Sequence, residues 1–564
     1  KIGPGGLFIG DGLQMAQAPY GVMWHKNEAY GAIRYINIFF EKIGNVYNME
    51  DSEKKLWTAE LKALKAHFYF ELMRRYGPII LVPENIDPNA SLDEMKQPRR
   101  PIDEVVNAIV ELCDEAIEDL PYLKEKPSTR ITYHSKESAA TLKAMTLLYA
   151  ASPLFNGNKM FANFLNKNGE RLFPDYDKEK WRKAAEAADE AIKICEAAGK
   201  TLVTGNTDRP TKLLNIMKDI EDSALAPDYK NSEAIFYVRN TSGGPCGYIL
   251  PFFAGEGEGA DCYDPHSIGC LGASMKMVEM FYTEHGVPIS EDKQWVVAKY
   301  SMGRESDEKY TNVLNLNTEI LGLHRRREPR FYANIGADRT LWYRMQKSGS
   351  EQKYVAQEIC AYQGELYGTK ITRIDNNTPQ NLSGYWIKKY LRSNITFYYY
   401  TSRDNTEKGG IIFRLPDLYL ASSEAWNEYL DAPDNRVYDP LNKIRERAGI
   451  LNVQEAWKNY ARNPDKVNTK LGMREIIQQE WNIEFAFEGR RFWNLRRWLT
   501  AVDELNEEQY GWNIVGQNAR EFYNNFREPV RVWAKRKFIS PRDYLFPLQS
   551  EEVMISGCVQ NPGW

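Results

Sequence analysis

No stretch of the sequence approaches the roughly 18 consecutive apolar residues that a membrane-spanning helix needs, and no signal peptide opens it. The seven cysteines (113, 195, 246, 262, 270, 360 and 558) include no CxxC pair, and the six histidines (25, 67, 134, 266, 285 and 324) show no HExxH spacing. An Asp-rich calcium loop is also missing, so the sequence supports neither a metal nor a cofactor. Neither charge sign is in excess, with Lys+Arg 73 against Asp+Glu 77 and a net charge of −4. Proteins that bind polyanions show a basic surplus or stripe, so nucleic acid is not an expected partner. Gly 38 and Pro 27 in 564 residues are near-average, which excludes collagen-like and low-complexity chains. With 43% hydrophobic and 27% charged residues, wholesale disorder is excluded too.

Aromatic rings are abundant. Trp 14, Tyr 34 and Phe 23 make 71, of which 48 are Tyr or Trp, rings with a polar handle. Such rings fill large cores, and they also suit surfaces that are apolar on one face and wet at the edge. The length allows about three or four domains, or one scaffold with long insertions.

Helical periodicity dominates the first part. Trp57, Leu61, Leu64, Phe68 and Leu72 form one stripe that stops at Tyr76-Gly77-Pro78, followed by an extended run, Ile79-Ile-Leu-Val82. A second helix opens at Pro101 and aligns Ile102, Val106, Ile109, Cys113, Ala116 and Leu120. A third spans about 137 to 152, and Trp181, Ala185, Ala188, Ile192 and Cys195 mark a fourth. Cys113 and Cys195 fall on apolar faces, where a buried thiol is expected. Cys246, Cys262 and Cys270 are close enough for one disulfide, without any pairing being specified. Asp114-Glu-Ala-Ile-Glu118 and Asp189-Glu-Ala-Ile-Lys193 echo each other at late positions of two helices. Small Ala residues facing Tyr, Trp and Leu fit stacked helix hairpins of the tetratricopeptide kind.

From about 200 to 410, Gly, Pro, Asn and Asp punctuate short runs such as 234–238 and 386–391, as in loops and short strands. Helices return at about 415–430, 439–448 and 473–499 before a loop-rich tail. The expected fold is mainly α: tetratricopeptide-like helix pairs forming a scaffold, with long loop-rich insertions and a few short strands. Its expected division is 1–200 helical scaffold, 201–410 loop-rich ligand-binding insertion, 411–500 second helical part, and 501–564 a C-terminal segment packed on the scaffold.

Several segments then resemble one family. Ala63-Leu-Lys-Ala-His-Phe-Tyr-Phe-Glu-Leu-Met-Arg-Arg-Tyr-Gly77-Pro resembles a hallmark of the SusD/RagB-like family, outer-membrane glycan-binding lipoproteins of Bacteroidetes nutrient uptake. Leu142 to Gly157, Arg325 to Tyr332, Gly384 to Tyr390, Arg474 to Trp498, and Tyr544 to Gln549 with Gln560 to Trp564 agree with it in order. The resemblance runs from about residue 24 to the last. It implies a tetratricopeptide-like scaffold, a loop-rich glycan-binding part, a lipid anchor on the cell surface, and a SusC-like TonB-dependent transporter as partner. The family's lipidated cysteine is not in this sequence, where the first cysteine is mid-helix Cys113. The anchor is therefore expected upstream of Lys1.

Glu480, Glu484 and Glu488 lie four apart, followed by Arg490, Arg491, Arg496 and Arg497. Carboxylates at that spacing repel unless cations answer them. They fit an acid/base pair of a glycoside hydrolase, or fixed ion pairs between packed helices; crowded Trp481, Phe485, Phe492 and Trp493 favour the second, with no catalytic residue expected. A sugar needs a flat ring for its C–H face and polar groups for its hydroxyl rim. Three stretches offer both. Trp24 to Tyr30 is one, although Trp24 and Tyr30 equally fit helix packing. The segment 243–270 brings Tyr248, Phe253, Tyr263, Asp264 and His266, and 338–344 brings Arg339 and Trp342. Tyr263 and Trp342 are the preferred platforms; Tyr398-Tyr-Tyr400 alternates like a strand and offers none. The function expected is oligosaccharide capture for the transporter. The alternatives are peptide capture, a helical glycoside hydrolase, or a protein-binding helical adaptor.

Overall fold

The computed structural model describes residues 4–25, 27–225, 231–239, 271–348, 351–365, 367–369, 381–390 and 409–564. The helices used below are α1 (Ala29–Lys42), α2 (Asp51–Tyr76), α3 (Ile102–Asp119), α4 (Lys136–Ala151), α5 (Glu179–Ala197) and α6 (Lys212–Ala224). Beyond residue 400 come α7 (Leu415–Tyr429), α8 (Asn435–Arg447), α9 (Val453–Tyr460), α10 (Lys470–Glu484) and α11 (Arg490–Arg497). The strands are β1 (Ala234–Arg239), β2 (Leu341–Ser348), β3 (Glu351–Glu358) and β4 (Gly409–Arg414).

Each helix packs on the next: α2 on α3, α3 on α4, α4 on α5, α5 on α7, and α7 on α8 and α10. This is a stack of helix pairs, mainly α, and it passes from α5 directly to α7 across more than 200 residues of sequence. Stacking is how a helix hairpin with one apolar face keeps that face from water. The apolar stripe of α3 (Ile102, Val106, Ile109, Cys113 and Ala116) is buried, as is that of α5 (Trp181, Ala185, Ala188, Ile192 and Cys195). In α2 the periodic stripe is not the deepest face. Trp57 is 36% exposed, and Leu61, Leu64 and Phe68 are only half-buried. Of the stripe only Leu72 is fully buried; the other buried apolar residues are Ala59, Ala63, Ala66, Tyr69, Phe70, Met73 and Tyr76. Alanine lets the neighbouring helix approach closely, and Ala59 and Ala63 meet Ala116 and Ala139 in one small cluster. Over the first turns of this helix the large residues therefore mark the shallower side, and only toward its end, from Tyr69 to Met73, do large side chains fill the deep one. Gly77, at φ 72°, ends the helix.

The 473–499 segment is two helices, not one. After Glu484 the chain turns through Phe487 (φ 66°) and Gly489 (φ 79°) before α11 begins. Glu488 thus lies beyond the helix that carries Glu480 and Glu484.

A second core holds Phe281, Tyr282, Phe331, Trp342, Tyr385 and Trp386, with Ala448, Ile450 and Ile483 of the scaffold and Trp512 and Tyr523 of the tail packed into it. The strands pair in twos among the described residues: β2 with β3, and β1 antiparallel to β4. The second pairing sets Ala234 opposite Arg414 and Arg239 opposite Gly409. The chain therefore leaves the scaffold and returns to it side by side. At the far end of the molecule, Trp564 Nε1 donates to the carbonyls of Arg542 and Leu545, 2.9 Å each, and docks the terminus.

Candidate functional site

The neck formed by β1 and β4 is held by charge. Five cations (Arg330, Lys389, Arg414, Arg445 and Arg447) face five carboxylates (Glu233, Glu328, Glu480, Glu484 and Glu488). Arg414, at the end of β4, donates to Glu233 and Glu484 at 2.6 Å and to Glu488 at 2.9 Å. Arg447 bridges Glu233 and Glu484; Arg330 bridges Glu328, Glu480 and Glu484. Every one of these ten side chains is almost wholly buried. Burial alone would raise a carboxyl, but Arg447, Arg414 and Arg330 hold Glu484 well below the usual range. Against the same cost, Arg414 and Lys389 bring Glu488 down to about 2. The glutamates are structural ion-pair partners, as expected, but the answering arginines come mostly from other elements. Of those that follow Gly489, Arg490 pairs with Asp417, Arg491 with Glu504 and Arg497 with Glu424.

Two of the ring candidates require correction. Trp342 is 3% exposed, lying 6.0 Å from Tyr367 in near-parallel stacking, inside the second core. Trp24 is 4% exposed and meets Tyr30 and Tyr76 edge-on at 5.2 and 5.3 Å. Neither ring offers a face to a ligand: each sits where neighbouring rings leave no room for water. Arg339 is half-buried in left-handed backbone (φ 65°). It stacks over Tyr362 at 4.9 Å and reaches Glu358 and Glu365 at 3.2 and 3.4 Å. Beside it, burial lifts the Asp338 carboxyl to about 6, although Arg339, the Ala361 N–H and the Tyr523 hydroxyl favour its ionised form. Tyr248, Phe253, Tyr263, Asp264 and His266 lie outside the described residues, as do Tyr398-Tyr-Tyr400 and Cys246, Cys262 and Cys270.

One cleft of about 480 Å³ opens beside the neck, between α2, the β1–β4 pair and the α10–α11 junction. Phe68, Phe236 and Trp493 give it apolar walls; Glu71, Arg74 and Arg490 give it a polar edge. Its rings are engaged: Trp493 lies between Arg74, 4.3 Å away, and Phe546, 6.0 Å away, and Phe236 stacks on His134 at 4.2 Å. Its acids are engaged as well. Despite burial, Arg74, His67 and Arg75 hold Glu71 well below the ordinary carboxylate range, and Asp417 binds Arg490. The cleft thus pairs apolar walls with a polar edge of mutually bonded charges. Many of its residues, Phe68, Glu71, Arg74, Arg490 and Trp493 among them, belong to the segments from 63 and from 474; their aromatic and charged composition showed in the sequence, but the fact that they converge with β1 and β4 did not.

The sequence profile of the SusD family matches residues 231–564, more than half of the chain. The chain belongs to the SusD family. A curated relative, SusD-like protein P25 of Formosa agariphila, is 32% identical over 129 residues, which is 23% of this chain and 23% of that protein. Among solved structures, BT4246 is 24% identical with a TM-score of 0.80, covering 99% of this chain and 92% of its own. A SusD-like carbohydrate binding protein of Bacteroides fragilis (BF0978) is 16% identical with a TM-score of 0.65, covering 98% and 88%. The SusD fold thus extends over the helices that precede residue 231.

Proposed function

We propose that this SusD-family chain is a non-catalytic surface protein that captures oligosaccharides and delivers them to a SusC-like TonB-dependent transporter in the outer membrane, held there by a lipid anchor. Family membership carries the reading, and a structural relative that is a SusD-like carbohydrate binding protein supports it. The chemistry of the cleft and the neck agrees. Glu71, Glu484 and Glu488 are fixed as carboxylates by arginines, whereas glycoside hydrolysis needs one acid kept protonated near neutral pH. No helix among the described residues is long and apolar enough to cross a membrane, in keeping with attachment through a lipid.

With Trp342 and Trp24 in the core, the sugar platform is assigned to the segment 243–270, through Tyr263 and Tyr248 with Asp264 and His266. Affinity electrophoresis against a broad polysaccharide panel tests this. At least one glycan should retard the protein, and Tyr263→Ala should abolish the shift without moving the thermal midpoint. Release of reducing ends would replace the binder by an enzyme. Retention of peptide digests, with no glycan retained, would replace the sugar by a peptide.

A further inference from the structure

A second pocket, of about 450 Å³, lies on the helical scaffold. It is built by residues 123–131 between α3 and α4, by residues 198–200 after the end of α5, and by the start of β1. None of these carries a ring or acid singled out for sugar binding above. Its volume falls within the range of small-molecule sites.

Its charge is one-sided. Lys124, Lys126 and Lys200 line it, and none of the described lining residues is acidic, in a chain whose net charge is −4. The acids that do face these lysines lie behind the wall. Glu60 pairs with Lys126 and is shared with Arg130. Glu137, fully buried, faces Lys126 and Lys200 from beneath. Four cations thus stand against two carboxylates. Lys126 is spent on Glu60 and on the His134 carbonyl. Lys124 and Lys200 each give one N–H to a backbone carbonyl, of Ala197 at 2.8 Å and of Ala234 at 2.5 Å. An ammonium has three such donors, so both retain capacity for an incoming oxygen. Burial lowers the Lys200 pKa against the opposing pull of Glu137. Ser128 and Ser232 supply hydroxyls, and Leu123 and Ile131 an apolar wall.

From this geometry we infer a site for an acidic sugar: one or two pyranose rings whose carboxylate or sulfate lies between Lys124 and Lys200, with ring C–H groups on Leu123 and Ile131. This rests on the carbohydrate-binding reading above, but it uses a part of the molecule that the loop hypothesis does not touch.

Calorimetric titration of the whole chain with glucuronate, galacturonate, glucose 6-sulfate and glucose tests it. The acidic sugars should bind and glucose should not, and affinity should fall several-fold between about 50 and about 300 mM NaCl. Uronates alone, or the sulfated sugar alone, would name the source of the charge. Lys124→Ala, on the surface, should weaken binding several-fold with an unchanged thermal midpoint. Adding Lys200→Met, which keeps the aliphatic stem, should abolish it. The proposal is overturned if no acidic sugar binds at about 20 mM, if Lys124→Ala binds as the parent does, or if inorganic sulfate competes as well as the sugars do. Retardation by neutral glycans alone would sink this inference and leave the capture function standing. Binding of uronates without retardation by any polysaccharide would do the reverse.

Discussion

In the helical stack, a side chain's neighbours are set within a few turns of its own helix and by the next helix along. In the inserted core, they are set by residues on separate segments, tens of positions or more away. Cys113 and Ile109 are buried because they share a face of α3. Trp342 is buried because Tyr367 and Lys388, on separate segments, close around it. The two regions also treat charge differently. On the outer face of α5, Arg182 meets Glu179 and Glu186 in solvent, whereas at the neck ten charges are withdrawn from water together. A buried carboxylate is tolerable only while its partners remain, so the neck depends on residues from both regions.

The largest break in this contrast comes from Glu484→Ala. It strands Arg330, Arg414 and Arg447 in the interior and should cost about 3 to 5 kcal/mol, read by chemical denaturation. A loss below about 1 kcal/mol would mean that the neck is not held by charge. Trp342→Ala follows, at about 3 kcal/mol, with a clear drop in melting temperature. If the variant melts like the parent but binds no glycan, the ring belongs to a ligand site after all.

Acid should separate the two regions by sign. Glu488, held at about 2, contributes stability present above about pH 4.5 and lost as pH falls toward 2, about 3 kcal/mol in all. Asp338, raised to about 6, binds its proton more tightly folded than unfolded, so its contribution declines as pH rises from about 4 to 6. Denaturation across pH 2 to 8 should show both slopes, and Asp338→Asn should remove only the second. The smallest effect belongs to Arg182→Ala, whose solvent-exposed ion pairs should leave the unfolding midpoint unchanged within error.

The legible parts of the fold were those governed by short-range periodicity. The stripes on α3 and α5, the stop at Gly77 and the restart at residue 415 follow from local spacing and caps. The division of 473–499 was hidden because Gly489 is compatible with either a continuous or a broken helix. The site was less legible. Trp342 and Arg339 stand in a stretch that reads as a polar, aromatic loop, yet strand pairing of β2 with β3 turns the tryptophan inward. Tryptophan has the same composition signature as wall or as platform, and only tertiary packing distinguishes them. That Glu484 is answered by Arg414 and Arg447 rather than by its sequence neighbours is likewise a fact of topology.

The pairing of β1 with β4 has one more consequence. The two ends of the inserted segment are fastened shoulder to shoulder, and the segment meets the scaffold again through Arg330 and Lys389 at the neck. Lengthening such a loop costs only a logarithm of its size. Chain added beyond this β1–β4 clamp therefore leaves the exit beside Arg239 and the return beside Gly409 where they are.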